Sequence, residues 1–120
     1  MKLITLFFIL NATLLTLHEI ESGYEKEWEI LRLPFKLTGF LALHIPILFI
    51  FFYGVLEIEK QSMVGLILGI ISGVGGFIPF LVHKLLFKKR EHFNLIVSNL
   101  IIYGNMITGL ITVILSIKSI

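Results

Sequence analysis

Three histidines and one glutamate stand near the same end of separate apolar segments, where together they could hold a metal ion. His18 and Glu21 are three residues apart, so on a helix they share a face. His44 lies seven residues into a second apolar segment, and His83 lies near the end of a third. Imidazole nitrogens and carboxylate oxygens are ligands for zinc, iron and manganese. The sequence therefore predicts a site for one of these divalent transition metals, formed by His18, Glu21, His44 and His83.

The same residues also permit catalysis without a metal. The carboxylate of Glu21 would orient the imidazole of His18, and the pair would act as general acid and base on a lipid-soluble substrate. Other polar residues fall near this depth or on the face of His18 and would complete a pocket for a small amphiphile or lipid: Asn11, Asn94, Ser98 and Asn99. Whether the protein is an enzyme stays open at this point.

The composition indicates helices that cross a membrane. Apolar residues make up 57% of the 120 and charged residues 15%, against about 25% charged in soluble domains, and the mean hydropathy is +0.98. The charges leave four runs at approximately 3–20, 37–56, 63–87 and 93–117, each at or above the roughly 17 residues that a crossing helix needs. We expect one all-α membrane domain over 1–120, a four-helix bundle.

The segment 20–33 between the first two runs has helical periodicity. Apolar and aromatic residues form one stripe and acidic residues another, as in a helix that lies at a membrane surface; the first stripe is Ile20, Tyr24, Trp28 and Leu31. Tyr24 and Trp28 would then sit at the level of the lipid headgroups. Pro34 would turn the chain into the second span.

The distribution of basic residues predicts the orientation. The side of the bundle with the connections after the first and third spans holds seven of the ten Lys and Arg residues, namely Lys26, Arg32, Lys36, Lys84, Lys88, Lys89 and Arg90. Because basic loops stay on the cytoplasmic side, both termini are expected outside.

Gly65, Gly69 and Gly73 recur every fourth residue in the third span. Such small residues let helix backbones approach closely. They predict an interface between copies of the chain, a gating hinge, or close packing within one bundle, and the last interpretation is favoured.

Two classes of function are excluded by composition. The chain has no cysteine, so thiol catalysis and Cys-ligated zinc are excluded. The net charge of +2 and the lack of a basic face outside the spans argue against nucleic acid. Membrane lipid is the expected partner.

The block HEIESGYEKEWEILRLP, from His18 to Pro34, resembles small uncharacterised bacterial four-helix membrane proteins of the His-x-x-Glu-Glu type, with Ser22 at the place of the second glutamate. The resemblance implies a protein of the bacterial inner membrane and a functional role for His18 and Glu21. It implies no particular reaction.

Two other functions fit the pattern. One is a small oligomeric transporter or channel component, in which the histidines and Glu21 relay protons or cations. The other is an accessory subunit of a membrane complex, in which the polar groups serve only helix packing.

Overall fold

Helices account for nearly all of the chain that the computed structural model describes, which is residues 1–86 and 95–120. They are α1 (Leu3–Tyr24), α2 (Glu27–Ile30), α3 (Lys36–Glu59), α4 (Met63–Gly75), α5 (Ile78–Phe80), a π-helix (Leu81–Leu86) and α6 (Ile96–Ser119). No strand occurs in these residues, and the all-α prediction is confirmed. The predicted span ends at 87 and 93 lie outside the described residues.

Four helical stretches are long and apolar enough to cross a membrane: Leu3–Tyr24, Lys36–Glu59, Met63–Leu85 and Ile96–Ser119. Only 6% of the apolar window of α3 is buried inside the protein. Phe49 and Phe52 of that helix are 68% and 74% exposed. A surface so rich in exposed apolar side chains is typical of helices that face lipid.

The four stretches form a ring in which α1 and α4 each pack against both α3 and α6. Both termini meet the α3–α4 turn at one end of the bundle. There the backbone nitrogen of Lys2 donates to the Glu59 carboxylate at 3.1 Å, and the Gln61 side chain donates to Ser119 Oγ at 3.5 Å. The opposite end, where α1 and the π-helix finish and α3 and α6 begin, is called the histidine end below.

Polar side chains join the helices halfway along the bundle. Asn11 is fully buried, and its Nδ2 donates to the Ser72 carbonyl at 2.7 Å. Thr108 Oγ1 donates to Asn11 Oδ1 at 3.2 Å, and the Asn105 amide, with its nitrogen toward Asn11, donates to the same oxygen at 2.8 Å. Asn11 therefore ties α1 to α4 and α6, since an unpaired amide in an apolar interior would be costly.

The glycine stripe of α4 is packed inside the bundle. A Cβ at Gly65 would overlap the Glu57 carbonyl of α3, and one at Gly69 would overlap Ser116 Oγ of α6. At Gly73 it would lie 2.6 Å from Val113 Cγ2 and 2.7 Å from the Gly109 carbonyl. Because α3 and α6 of the same chain cover this face, the structure favours close packing over the oligomer interface that the spacing also allowed.

The predicted surface helix over 20–33 is only partly formed. Helix α1 ends at Tyr24, Lys26 takes a left-handed conformation with φ of 51°, and the short helix α2 follows. Tyr24 is 84% exposed, but Trp28 is only 7% exposed, with its ring 5.3 Å from that of Phe40. Burial of the indole against α3 competes with continuation of α1, so Trp28 lies inside the protein and not on its surface.

The third stretch is not a continuous α-helix. Helix α4 ends at Gly75, Gly76 and Phe77 form turns, and α5 begins with Ile78 and Pro79. Proline has no N–H to continue the hydrogen-bond ladder, and the chain proceeds as a π-helix that carries His83 and Lys84. Such wide turns are frequent at functional sites.

Candidate metal centre

His18, Glu27 and His83 converge at the histidine end. One ligand atom from each residue can be chosen so that all three lie within 4.8 Å of one another. The rings of His18 and His83 have centroids 5.0 Å apart, and His83 Nε2 is 2.9 Å from Glu27 Oε1. These spacings are small enough for a single ion with bonds of about 2.0 to 2.2 Å to reach each residue after modest side-chain adjustment.

Each member of this trio comes from a different element. His18 lies in the last two turns of α1, Glu27 opens α2, and His83 lies in the π-helix. His18 is 3% exposed, and the side chains of His83 and Glu27 are 5% and 14% exposed. A polar trio buried to this degree must be held by mutual contacts, because isolated polar groups are costly in such surroundings.

Ser22 links two members of the trio. It is fully buried one turn after His18, with its Oγ 3.4 Å from His18 Nε2. It is also one of the groups that lower the pKa of the Glu27 carboxyl group. Ser22 therefore orients both a nitrogen and a carboxylate donor, as groups outside a metal's own ligands commonly do.

The charge state of Glu27 suits a ligand. Burial raises the pKa of its carboxyl group, but hydrogen bonds from His83 and Ser22 and the nearby imidazoles of His83 and His18 outweigh this, so its pKa is below the ordinary value. The carboxyl group is therefore ionised near neutral pH. One carboxylate with two imidazoles is a donor set that zinc uses in catalytic sites, with a further position left for water or substrate.

Of the four predicted ligands, the structure brings together His18 and His83. His44 lies elsewhere: its Nδ1 donates to the Phe40 carbonyl at 2.6 Å, and its Nε2 is 2.5 Å from Glu19 Oε2. Glu21 accepts a hydrogen bond from Ser98. In the described residues, the possible ligands that converge are His18, Glu27 and His83. Glu27 thus takes the place of the predicted ligands Glu21 and His44.

The predicted pocket residues also fall into separate contacts. Ser98 pairs with Glu21 and so joins α6 to α1. Asn99 accepts a hydrogen bond from the Lys84 ammonium group. Asn11 belongs to the network halfway along the bundle, and Asn94 lies outside the described residues.

Sequence periodicity missed Glu27 and Glu19. A continuous helix through 20–33 would place Glu21, Glu25 and Glu29 on one stripe and leave Glu27 off it. Because the chain changes direction at Lys26, the carboxylate of Glu27 comes close to His18 and His83. The one available signal was Gly23, a weak helix former in an otherwise helical pattern.

The chain belongs to a family of unknown function, DUF6713, which it matches over residues 4–119. No curated protein and no solved structure matches it. The family description assigns no reaction. The resemblance through His18 and Glu21 to the His-x-x-Glu-Glu proteins stays a prediction.

Proposed function

We propose that this family member is an integral membrane protein that binds one divalent transition metal at His18, Glu27 and His83 and acts there on a small amphiphile or lipid. The observation that carries the proposal is the set of three ligand atoms within 4.8 Å of one another. They come from three separate elements, so their meeting is a property of the fold and not of local sequence.

The charges of the trio favour a dication. When they bind a metal, two imidazoles and one carboxylate together supply a single negative charge, which a divalent ion would more than balance in a site almost closed to water. Zinc is the metal best suited to two nitrogens and one carboxylate oxygen, with iron and manganese as further candidates. A metal bound there would polarise a carbonyl oxygen or activate water.

Metal analysis of the purified protein tests the site directly. We expect about one zinc, iron or manganese per chain, which is the stoichiometry of a three-ligand site. Occupancy should fall to near zero in His18→Ala, His83→Ala and Glu27→Gln. His44→Ala is the matched control, since His44 is bonded to Glu19 and not to the trio; it should retain the metal. Occupancy that is absent from the native chain, or equal in all four variants, would overturn the proposal.

Misfolding of a variant must be separated from loss of a ligand. Glu27→Gln keeps the size of the side chain and its ability to accept hydrogen bonds, so its helix content and elution volume in detergent should match those of the native chain. A folded Glu27→Gln protein with full metal content would also contradict the site.

The proposal includes insertion in a membrane with both termini outside. The basic connections after the first and third spans support this direction. The chain has no cysteine, so Lys26→Cys and Ser119→Cys would each carry a single thiol. In intact cells a membrane-impermeant maleimide should label the Ser119→Cys protein and leave the Lys26→Cys protein unlabelled; the reverse pattern would overturn the orientation.

The interrupted third stretch favours one alternative function, a small transporter. Helices broken near the middle of a membrane are common at the substrate sites of transporters, and here the break at Gly75 and Gly76 precedes the π-helix that carries His83. This alternative predicts cation or proton flux in liposomes that His83→Ala abolishes. The metal-dependent proposal predicts no such flux.

A further inference from the structure

A seam between α1 and α3 contains two neighbouring apolar cavities. The first, about 300 Å³, lies toward the histidine end, and its lining includes Gly23, Phe40 and His44. The second, about 290 Å³, continues toward Ile9. Thr16, Leu48 and Phe51 line both cavities, so the two adjoin along one groove. Leu41 and Phe52, which line the first and the second cavity, are 56% and 74% exposed, so the groove reaches the apolar surface of the bundle.

The groove is long enough for an extended hydrocarbon chain. Its lining on α1 runs from Ile9 to Gly23, a span of about 21 Å at about 1.5 Å per residue. The hydrocarbon core of a bilayer is about 30 Å thick, so the acyl chains of one leaflet extend through about half of that depth. One acyl chain can therefore lie in the groove, parallel to the helices.

One end of the groove is polar. Glu19 and His44 line the first cavity, and they also line a smaller one of about 100 Å³ that extends to Glu27 and Trp28. A head group at this end would therefore lie beside the Glu27 ligand of the candidate metal centre. The groove thus joins an apolar chain site to a polar site at the depth of the histidine trio.

The polar end is lined by two carboxyl groups and one imidazole, those of Glu19, Glu27 and His44. His44 Nδ1 faces the Phe40 carbonyl at 2.6 Å and so must donate its hydrogen there, while Nε2 meets the Glu19 carboxyl group at 2.5 Å. The imidazole of His44 and the carboxyl group of Glu19 are therefore partners of each other. Among the described residues that line these two cavities there is no Lys or Arg, so an anionic head would meet the carboxyl groups of Glu19 and Glu27.

We propose that this groove binds a single-chain amphiphile with a neutral, hydroxyl-bearing head, the class of the monoacylglycerols and long-chain alcohols. The chain lies between α1 and α3, and the head hydroxyl bonds to Glu19, whose carboxylate has acceptor positions beyond its contact with His44. This inference specifies the chemical class of the amphiphile in the proposed function. A reaction of its head group rests on the proposed function, because that reaction would need the metal, whereas binding in the groove needs no metal.

The single tryptophan provides the assay. Trp28 is the only tryptophan in the chain, and it lines the small polar cavity. A monoacylglycerol brominated close to its head should quench Trp28 fluorescence when added to chelator-treated protein in lipid-free detergent. The comparison probe is a fatty acid anion of the same chain length with bromine at the same position. We expect the monoacylglycerol to bind at least about tenfold more tightly, a difference of about 1.4 kcal/mol.

A variant that fills the groove tests where the chain lies. Thr16→Phe places a ring where the two cavities adjoin, and it should weaken quenching by the monoacylglycerol by about tenfold or more. Ile45→Phe, on an α3 position that is 71% exposed and outside both cavities, is the control and should bind as the native chain does. Equal quenching by both probes, or no effect of Thr16→Phe, would show general association with lipid only and would overturn the inference.

The quenching test of the groove can fail or succeed independently of the metal analysis. All quenching measurements use metal-free protein, and the metal content of Thr16→Phe is measured separately. Selective quenching in a protein that never binds metal would support the groove and contradict the metal centre. Full metal content with equal quenching by both probes would support the metal centre and contradict the groove.

Discussion

The imidazole rings of His18 and His83 lie with their centroids 5.0 Å apart, although one belongs to α1 and the other to the π-helix of the third stretch. Both rings are nearly closed to solvent, and both lie beside the same carboxylate, Glu27. Two imidazoles around one carboxylate form a polar centre in an apolar bundle. Its chemistry depends on whether the three groups bind an ion or only one another.

Zinc should stabilise the native chain against heat. An ion that binds only the folded state stabilises it by about 2.7 kcal/mol at a concentration of 100 times Kd. We expect the unfolding temperature of the metal-free protein in detergent to rise when zinc is added, and the rise to disappear in His18→Ala and in His83→Ala.

The control for this experiment is His44→Ala, because His44 is a partly buried histidine at the same end of the bundle whose bonds go to Glu19 and Phe40. Its response to zinc should equal that of the native chain. A zinc response that survives in both the His18 and the His83 variants would place the ion elsewhere.

Two glycines of α4 should differ in their tolerance of a methyl group. At Gly73 an added Cβ would lie 2.6 Å from Val113 Cγ2 and 2.7 Å from the Gly109 carbonyl of α6, whereas at Gly75 the nearest atom would be Leu15 Cδ1 at 3.8 Å. Overpacking typically costs about 1 to 3 kcal/mol. We expect Gly73→Ala to lower the free energy of unfolding by about that amount.

Gly75→Ala is the matched control for that clash. With no close contact, its effect should be neutral or stabilising by up to about 1 kcal/mol, the difference in helix propensity between the two residues. Reversible unfolding in mixed detergent measures both variants. If Gly73→Ala proved as stable as Gly75→Ala, α4 and α6 could not be packed as closely as described.

The helices were predictable from sequence, because long runs without charge have few alternatives to a helix in an apolar environment. The approach of His18 to His83 was predictable in part. Both lie near the histidine end of their spans, so depth alone placed them at one level. Periodicity within each span could not show which faces meet, and this depends on how α1, α4 and α6 pack.

Glu27 and His44 show where sequence reasoning fails. The position of Glu27 depends on the left-handed conformation at Lys26 and on the burial of Trp28 against Phe40, both of which are tertiary effects. His44 lies at the histidine end, but Glu19, one residue after His18, faces it across the α1–α3 seam. A rotation of about 100° per residue around a helix is enough to separate two sites at one depth.

Asn11 should contribute to stability through its contacts between helices. Its amide donates to the Ser72 carbonyl of α4 at 2.7 Å and accepts from Thr108 of α6 at 3.2 Å. Such hydrogen bonds contribute on average about 0.6 kcal/mol in membrane proteins, with values up to about 1.7. We expect Asn11→Ala to lower the free energy of unfolding by about 1 to 2 kcal/mol, since these two contacts and the one from the Asn105 amide are lost.

Thr13→Ala is the control for Asn11→Ala, because Thr13 lies on the exposed side of the same helix. Its effect should stay within about 0.5 kcal/mol, as is usual for surface positions. The two variants are compared by unfolding in mixed detergent. Equal destabilisation by both would mean that the Asn11 contacts contribute nothing beyond the helix itself.

Glu27 should make the stability of the metal-free protein depend on pH. The pKa of its carboxyl group is lowered in the folded state, so its stabilising effect is complete above the ordinary carboxyl pKa of about 4.3 and is lost as the pH falls through the lower, folded-state value. The gap in unfolding free energy between the native chain and Glu27→Gln should therefore be largest near neutral pH and shrink in acid.

The cause of this dependence can be tested in the same measurements. The hydrogen bond from His83 is the largest of the effects that lower the pKa of Glu27. In a His83→Ala background, Glu27→Gln should therefore change stability by an amount that varies less with pH. Unfolding curves for the four proteins between pH 3 and pH 7 complete a double-mutant cycle. A gap that widens in acid would mean that the folded state raises the pKa of Glu27, and the carboxylate would then be a poor ligand for a metal.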